Sequence, residues 1–254
     1  MMEDRNDYLP TPLEQMRDYW RRDVRKTFWI LTAVFLAVCA LFGAVYHDDM
    51  AAGMEVLDDF REEIADVYVH VGEAPLATAE PTLDDVLETF GLKQWSEDFQ
   101  QQGGLDSLFS SFQTPEMNAS ALLWNNITAC AVAIALGLIP FLFLTLFALF
   151  WNAVIIGALI GVWTASGMSA GALAAGLLPH GIFEIPAMIL SFALGFTLCR
   201  KISARICRRR NARPLLAIRN TLMLFALVVL PLLAVAAALE CWVTPELMAR
   251  AMGG

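Results

Sequence analysis

The sequence predicts an all-α polytopic membrane bundle of about five spans with a small external helical cap, and three observations predict it. Hydrophobic residues make up 57% of the 254-residue chain and charged residues only 17%, against roughly 45–50% and about 25% in a soluble domain. The apolar residues gather in runs long enough to cross a bilayer. Lys and Arg gather in two short segments, while a third, longer segment is acidic. Together these exclude a soluble globular enzyme, a nucleic-acid-binding module and a disordered chain. The formal charge of −9 belongs to the acidic segment rather than to the molecule as a whole.

Thr27 to Tyr46 is an uncharged run that fits one span, since a hydrocarbon core of roughly 30 Å takes about 20 helical residues. Ahead of it, in residues 1–26, Leu13, Met16, Trp20 and Val24 form a helical stripe interleaved with Arg17, Arg21, Arg22, Arg25 and Lys26. That pattern suits a cytoplasmic amphipathic helix that lies on an anionic inner leaflet and feeds into the first span, 27–46. The next apolar stretch, 119–165, would be about 70 Å long as one helix, more than twice the bilayer. It must fold back, and Gly137 and Pro140 mark the turn between spans near 120–139 and 141–163. Residues 168–199 are again too long for one simple span. Pro179 and Gly181 interrupt them and Pro186 follows, so the expectation is a broken or re-entrant helix near Pro179 and then a span at about 181–199. A last span lies at about 221–239.

Charge placement tests this count. Six Lys/Arg fall in residues 1–26 and eight in 200–219, whereas 47–118 holds seventeen Asp/Glu and only Arg61 and Lys93 as cations. Short cationic loops stay cytoplasmic. Both basic segments lie on one side only if an even number of spans separates them, which requires 119–165 to be a hairpin. Five spans result, with the N-terminus cytoplasmic and both 47–118 and the C-terminus extracytoplasmic. Within 47–118, Leu57, Phe60, Ile64 and Val67 mark one amphipathic helix. Thr82 with Asp85 resembles a capping box opening a second, and Leu105, Leu108, Phe109 and Phe112 mark a third. Five cysteines without a C-x-x-C pair give neither a disulfide framework nor a zinc or redox motif.

Asn125, Asn126, Asn152, His180, Glu184 and Glu240 sit among apolar neighbours. A carboxylate near the bilayer centre costs on the order of 2.5–3.5 kcal/mol, so each should have a partner. His180 and Glu184, four apart, share a helix face. They either line a polar cavity or proton path, or act as structural glue toward the asparagines. Chain spacing supplies no third metal ligand beside them, so no metal or cofactor is expected. Glu240, at the outer end of the last span, reads as an anchor. Gly137, Gly157, Gly161, Gly171, Gly176 and Gly195 permit close helix approach. There is no G-x-S-x-G, H-E-x-x-H or Walker sequence, and no enzymatic activity is expected.

The run Leu178-Pro179-His180-Gly181-Ile182-Phe183-Glu184-Ile185-Pro186-Ala187 resembles the signature of the stage II sporulation protein M family. Asn125-Asn126 at the hairpin, Asn152 with Gly157, and Ala238-Leu239-Glu240-Cys241-Trp242-Val243-Thr244-Pro245 are similar to further family features, although Ala153 stands where the family's N-G-x-x-x-G stretch has its first glycine. The likeness covers roughly 118–246. It implies a five-span inner-membrane protein of bacteria or archaea. It also implies a scaffold that anchors partner proteins, which in the sporulation branch are cell-wall-degrading. The expectation is therefore a membrane scaffold with envelope-protein partners and self-association through small-residue faces. The alternative is a small proton-coupled transporter or channel using His180 and Glu184.

Overall fold

The computed structural model describes residues 11–59, 119–141, 143–208 and 213–253, and every regular element among them is helical. Helix α1 (Pro12–Asp48) opens on a capping box in which Thr11 and Glu14 satisfy each other's backbone N–H groups. It passes through one π-turn at Trp20–Val24 and continues without interruption. The basic amphipathic stretch is thus the first part of the same helix as the first span. All of its stripe but Leu13, which is exposed, faces inward: Val24 is fully buried, and Met16 and Trp20 pack against the core. Residues 50–59 form a short helix, α2, whose Leu57 is buried with Ile155, Ala158 and Val162. The remainder of the external segment, including Phe60, Ile64, Val67 and the helices expected over 82–90 and 105–112, lies outside the described residues.

Helix α3 (Ala119–Ala135) runs into a 3-10 turn at Leu136–Leu138, and α4 (Leu144–Ala165) returns. The connection turns on Phe141 and Phe143, both at positive φ. Its backbone is held by side chains near the far end of the next long helix. The Phe141 N–H donates to Ser203 Oγ at 3.1 Å, and Cys199 Sγ lies 3.4 Å from the Ile139 carbonyl. The end of α3 packs closely on that long helix because glycines meet between them: a β-carbon on Gly137 would overlap the Gly195 carbonyl, and one on Gly195 the Ala133 carbonyl.

Helix α5 (Ala170–Ile206) corrects one expectation. It is a single 37-residue helix with both Pro179 and Pro186 inside it, not a half-helix followed by a separate span. Each proline removes one N–H and frees one carbonyl. Such losses are tolerated in membrane helices because neighbouring helices hold the segment in place. Here α3, α4 and α6 all pack against α5, and its stretch from Ile189 to Leu194 is buried throughout. Gly181 is buried within the same helix. At about 55 Å, α5 is longer than the roughly 30 Å thickness of a hydrocarbon core. Helix α6 (Pro214–Trp242), with a π-turn at Phe225–Val229, and the short α7 (Thr244–Gly253) complete the chain.

The passes alternate, which puts the two basic segments at one end. Lys201 Nζ meets Asp23 Oδ1 at 2.6 Å, and Arg200 donates to the Asp23 carbonyl at 3.4 Å. Arg219 hydrogen-bonds Gln15 Oε1, and Tyr19 Oη lies 3.1 Å from Thr221 Oγ1. At the opposite end His47 Nδ1 lies 3.2 Å from Thr164 Oγ1, joining the end of α1 to the end of α4. Between these ends α1 and α4 touch along a small-residue seam. A β-carbon on Gly161 would lie 2.7 Å from the Gly43 carbonyl, and one on Gly157 would lie 3.0 Å from that of Cys39.

Candidate functional site

Three of the polar residues singled out in the apolar sequence come together. His180 and Glu184, one turn apart on α5, meet Glu240 from the last turn of α6, and one ligand atom of each lies within 4.8 Å of the other two. All three are half-buried. His180 and Glu184 share a face because a helix repeats every 3.6 residues. Glu240 reaches them because α6 packs antiparallel along α5. Chain spacing could not reveal this third group, which lies 56 residues away in sequence.

A fourth residue orients the histidine. His180 Nδ1 lies 3.4 Å from Thr244 Oγ1, and that hydroxyl donates to the Leu239 carbonyl at 3.2 Å. A threonine hydroxyl has one proton. With that proton committed to Leu239, Oγ1 accepts, so Nδ1 carries the hydrogen and Nε2 keeps its lone pair. Thr244 is buried where α7 begins. Helix α7 is seated there because Gly176 of α5 leaves room for Met248 and Trp163, each 3.1 Å from where a β-carbon would stand. The signal for Thr244 was present in the Thr-Pro ending, but only the fold shows what its hydroxyl touches.

The asparagines do not join this cluster by hydrogen bonds. Asn152 Nδ2 donates to the Ala148 carbonyl one turn back, at 2.8 Å. Among the described residues no hydrogen bond links Asn125 or Asn126 to His180 or Glu184. Nor does a direct ion pair join His180 to either carboxylate: Glu184 and Glu240 carry no hydrogen bond or salt bridge among the described residues. The hydrogen bonds to the asparagines that a purely structural role would use are therefore not seen among the described residues, and the three groups lie side by side instead. Two largely apolar hollows lie elsewhere, one bordered by Leu36, Gly43 and Ile160, the other by Leu31, Phe35 and Phe196. Neither reaches the cluster.

The depth of the cluster follows from helix rise. His180 is twenty residues from Arg200 on α5, and Glu240 is twenty-one from Arg219 on α6, so each lies about 30 Å from the basic end. That is the thickness of the hydrocarbon core. The cluster therefore lies about one core thickness from the basic residues, toward the opposite end of the bundle.

The family model of the stage II sporulation protein M family matches residues 31–245, which takes in most of the bundle and all four residues of the cluster. The chain belongs to that family. An uncharacterized protein of Methanocaldococcus jannaschii is 31% identical over 134 residues, covering 52% of this chain and 74% of its own. No solved structure matches. The four long apolar helices, with the shorter Leu122–Leu138 beside them, fit a multi-pass membrane protein of this family.

Proposed function

We propose that this stage II sporulation protein M family member is a non-enzymatic scaffold of the cytoplasmic membrane that positions partner proteins at its external face. The observation that carries this reading is where the acidic segment is rooted. Its two ends, at the close of α1 and the start of α3, emerge at the end of the bundle that also holds α7 and the His180 cluster. Both ends of an acidic segment of about seventy residues are thus rooted at one end of a close-packed, glycine-seamed bundle. The positive-inside rule puts the basic end, with Arg21, Arg22, Lys201 and Arg219, in the cytoplasm and this acidic face outside.

Proton-coupled transport is the less favoured reading. Transporter sites lie near the bilayer midplane at helix interruptions, whereas His180 lies on an unbroken helix, about 30 Å from the basic end. The family's sporulation branch, with its cell-wall-degrading partners, makes envelope proteins the partner class to look for.

Two measurements test the proposal. Photo-crosslinkers placed between residues 62 and 115 in native membranes should capture a reproducible set of envelope proteins, which are lost when 62–115 is replaced by a neutral linker. Capture of the chain alone would end the scaffold reading. Orientation is read with a membrane-impermeant thiol reagent: exposed Cys207 should react only after permeabilisation, and Ala249→Cys in intact cells. The reverse pattern would invert the topology.

A further inference from the structure

We propose that His180, Glu184 and Glu240 form a binding site for one divalent transition-metal cation, of which zinc is the probe, and that Thr244 positions the histidine for it. This goes beyond scaffolding and stands whether or not partners are recruited. Three independent features of the site point to a cation.

The first is the donor set. One imidazole and two carboxylates from two helices have ligand atoms within 4.8 Å of one another, a set that suits zinc with a fourth position left open. In a tetrahedral site, Zn–N and Zn–O bonds of about 2.0–2.2 Å put ligand atoms about 3.4 Å apart. The site therefore needs to close by up to roughly 1.4 Å on binding, which side-chain rotation of the two glutamates has to supply.

The second is the state of the carboxylates. Two acidic groups lie side by side in an apolar setting, and among the described residues neither has a hydrogen-bonding or ion-pairing partner. A buried charge without a partner is costly, and like charges side by side add to the cost. The nearest Lys and Arg of the described bundle gather at the other end, about 30 Å away, except Arg250, which pairs with Glu246. A divalent cation offsets both carboxylates at once.

The third is the outer contact. Metal-bound histidines generally donate their second ring N–H to an acceptor that fixes the tautomer. Thr244 Oγ1 accepts from Nδ1 because its own proton goes to the Leu239 carbonyl, and this leaves Nε2 available as the metal ligand. The imidazole also sets the selectivity. Magnesium and calcium take oxygen ligands, while imidazole suits zinc and its first-row neighbours.

The test uses the full chain purified in lipid nanodiscs. After dialysis against zinc and removal of loosely held ion, elemental analysis should find one zinc per chain, undiminished by excess magnesium. X-ray absorption of the bound zinc should show one imidazole with oxygen ligands and no sulfur. Glu184→Gln and Glu240→Gln should each lose stoichiometric zinc, while Glu246→Gln on nearby α7 keeps it. Thr244→Val should lower zinc affinity about 10–100-fold, and Thr244→Ser should restore it. Absence of stoichiometric zinc in the unaltered protein would overturn the proposal. So would sulfur ligands, which would move the metal to a cysteine, or full retention by folded Glu240→Gln. Where a glutamine variant fails to fold, the absorption spectrum of the unaltered protein decides by itself.

Discussion

The two ends of the bundle handle charge in opposite ways. At the basic end, Asp23, Lys201, Arg200, Arg219 and Gln15 form an open network of hydrogen bonds and one ion pair, in reach of water, where each link is cheap to make and to lose. At the other end His180, Glu184 and Glu240 are embedded in apolar helices, and among the described residues only the histidine has a hydrogen bond. Many interchangeable charges fix topology at the first end. A few charges, each dependent on its neighbours, mark a site at the second. Between the two ends, glycine seams bring the helices into close contact.

The comparison breaks first in the middle. Gly195→Leu drives a side chain into the Ala133 carbonyl and should destabilise the bundle by about 3 kcal/mol or more, the upper range for overpacking. Thermal unfolding in detergent reads this directly, and an unchanged midpoint would mean that α3 and α5 are not in backbone contact. Next comes the cluster, measured in chelator. His180→Leu removes the one cationic candidate beside the two carboxylates among the described residues and should cost about 1–3 kcal/mol. Glu184→Leu relieves carboxylate crowding and should cost less, or stabilise. If Glu184→Leu proved the more damaging of the two, the carboxylates would have partners other than this histidine.

A smaller effect sharpens the picture of the histidine. A double-mutant cycle with His180→Leu and Thr244→Val should give a coupling of about 1 kcal/mol; zero coupling would detach Thr244 from the site. Smallest is the basic end. The Asp23→Ala and Lys201→Ala cycle should couple by only about 0.2–1 kcal/mol and shrink as salt is added. A larger, salt-insensitive value would show that this end is as dry as the other.

Much of this molecule was legible in its sequence. The apolar runs, the two arginine-rich segments and the length of 119–165 required an even number of passes between the basic segments, and the Asp23–Lys201 and Tyr19–Thr221 contacts now put those segments together. Gly137 was legible as the turn because a hairpin needed one there. Bilayer thickness and charge placement act on segments, and a segment is what a linear sequence displays.

Tertiary structure alone decided three other matters. Prolines 179 and 186 looked like interruptions because an isolated helix loses hydrogen bonds at proline. Packing by α3, α4 and α6 keeps α5 whole. The helical stripe Met16, Trp20 and Val24 looked fit for a lipid surface, yet it packs against the chain's own core. Glu240 read as an interfacial anchor, and Thr244 carried no chemical role. Both join His180 because α6 lies antiparallel to α5 and α7 folds back across its end. The sequence showed which groups could not be left alone in an apolar setting. Their partners depend on helix register across distances of 56 to 64 residues, and only the packed bundle reveals that register.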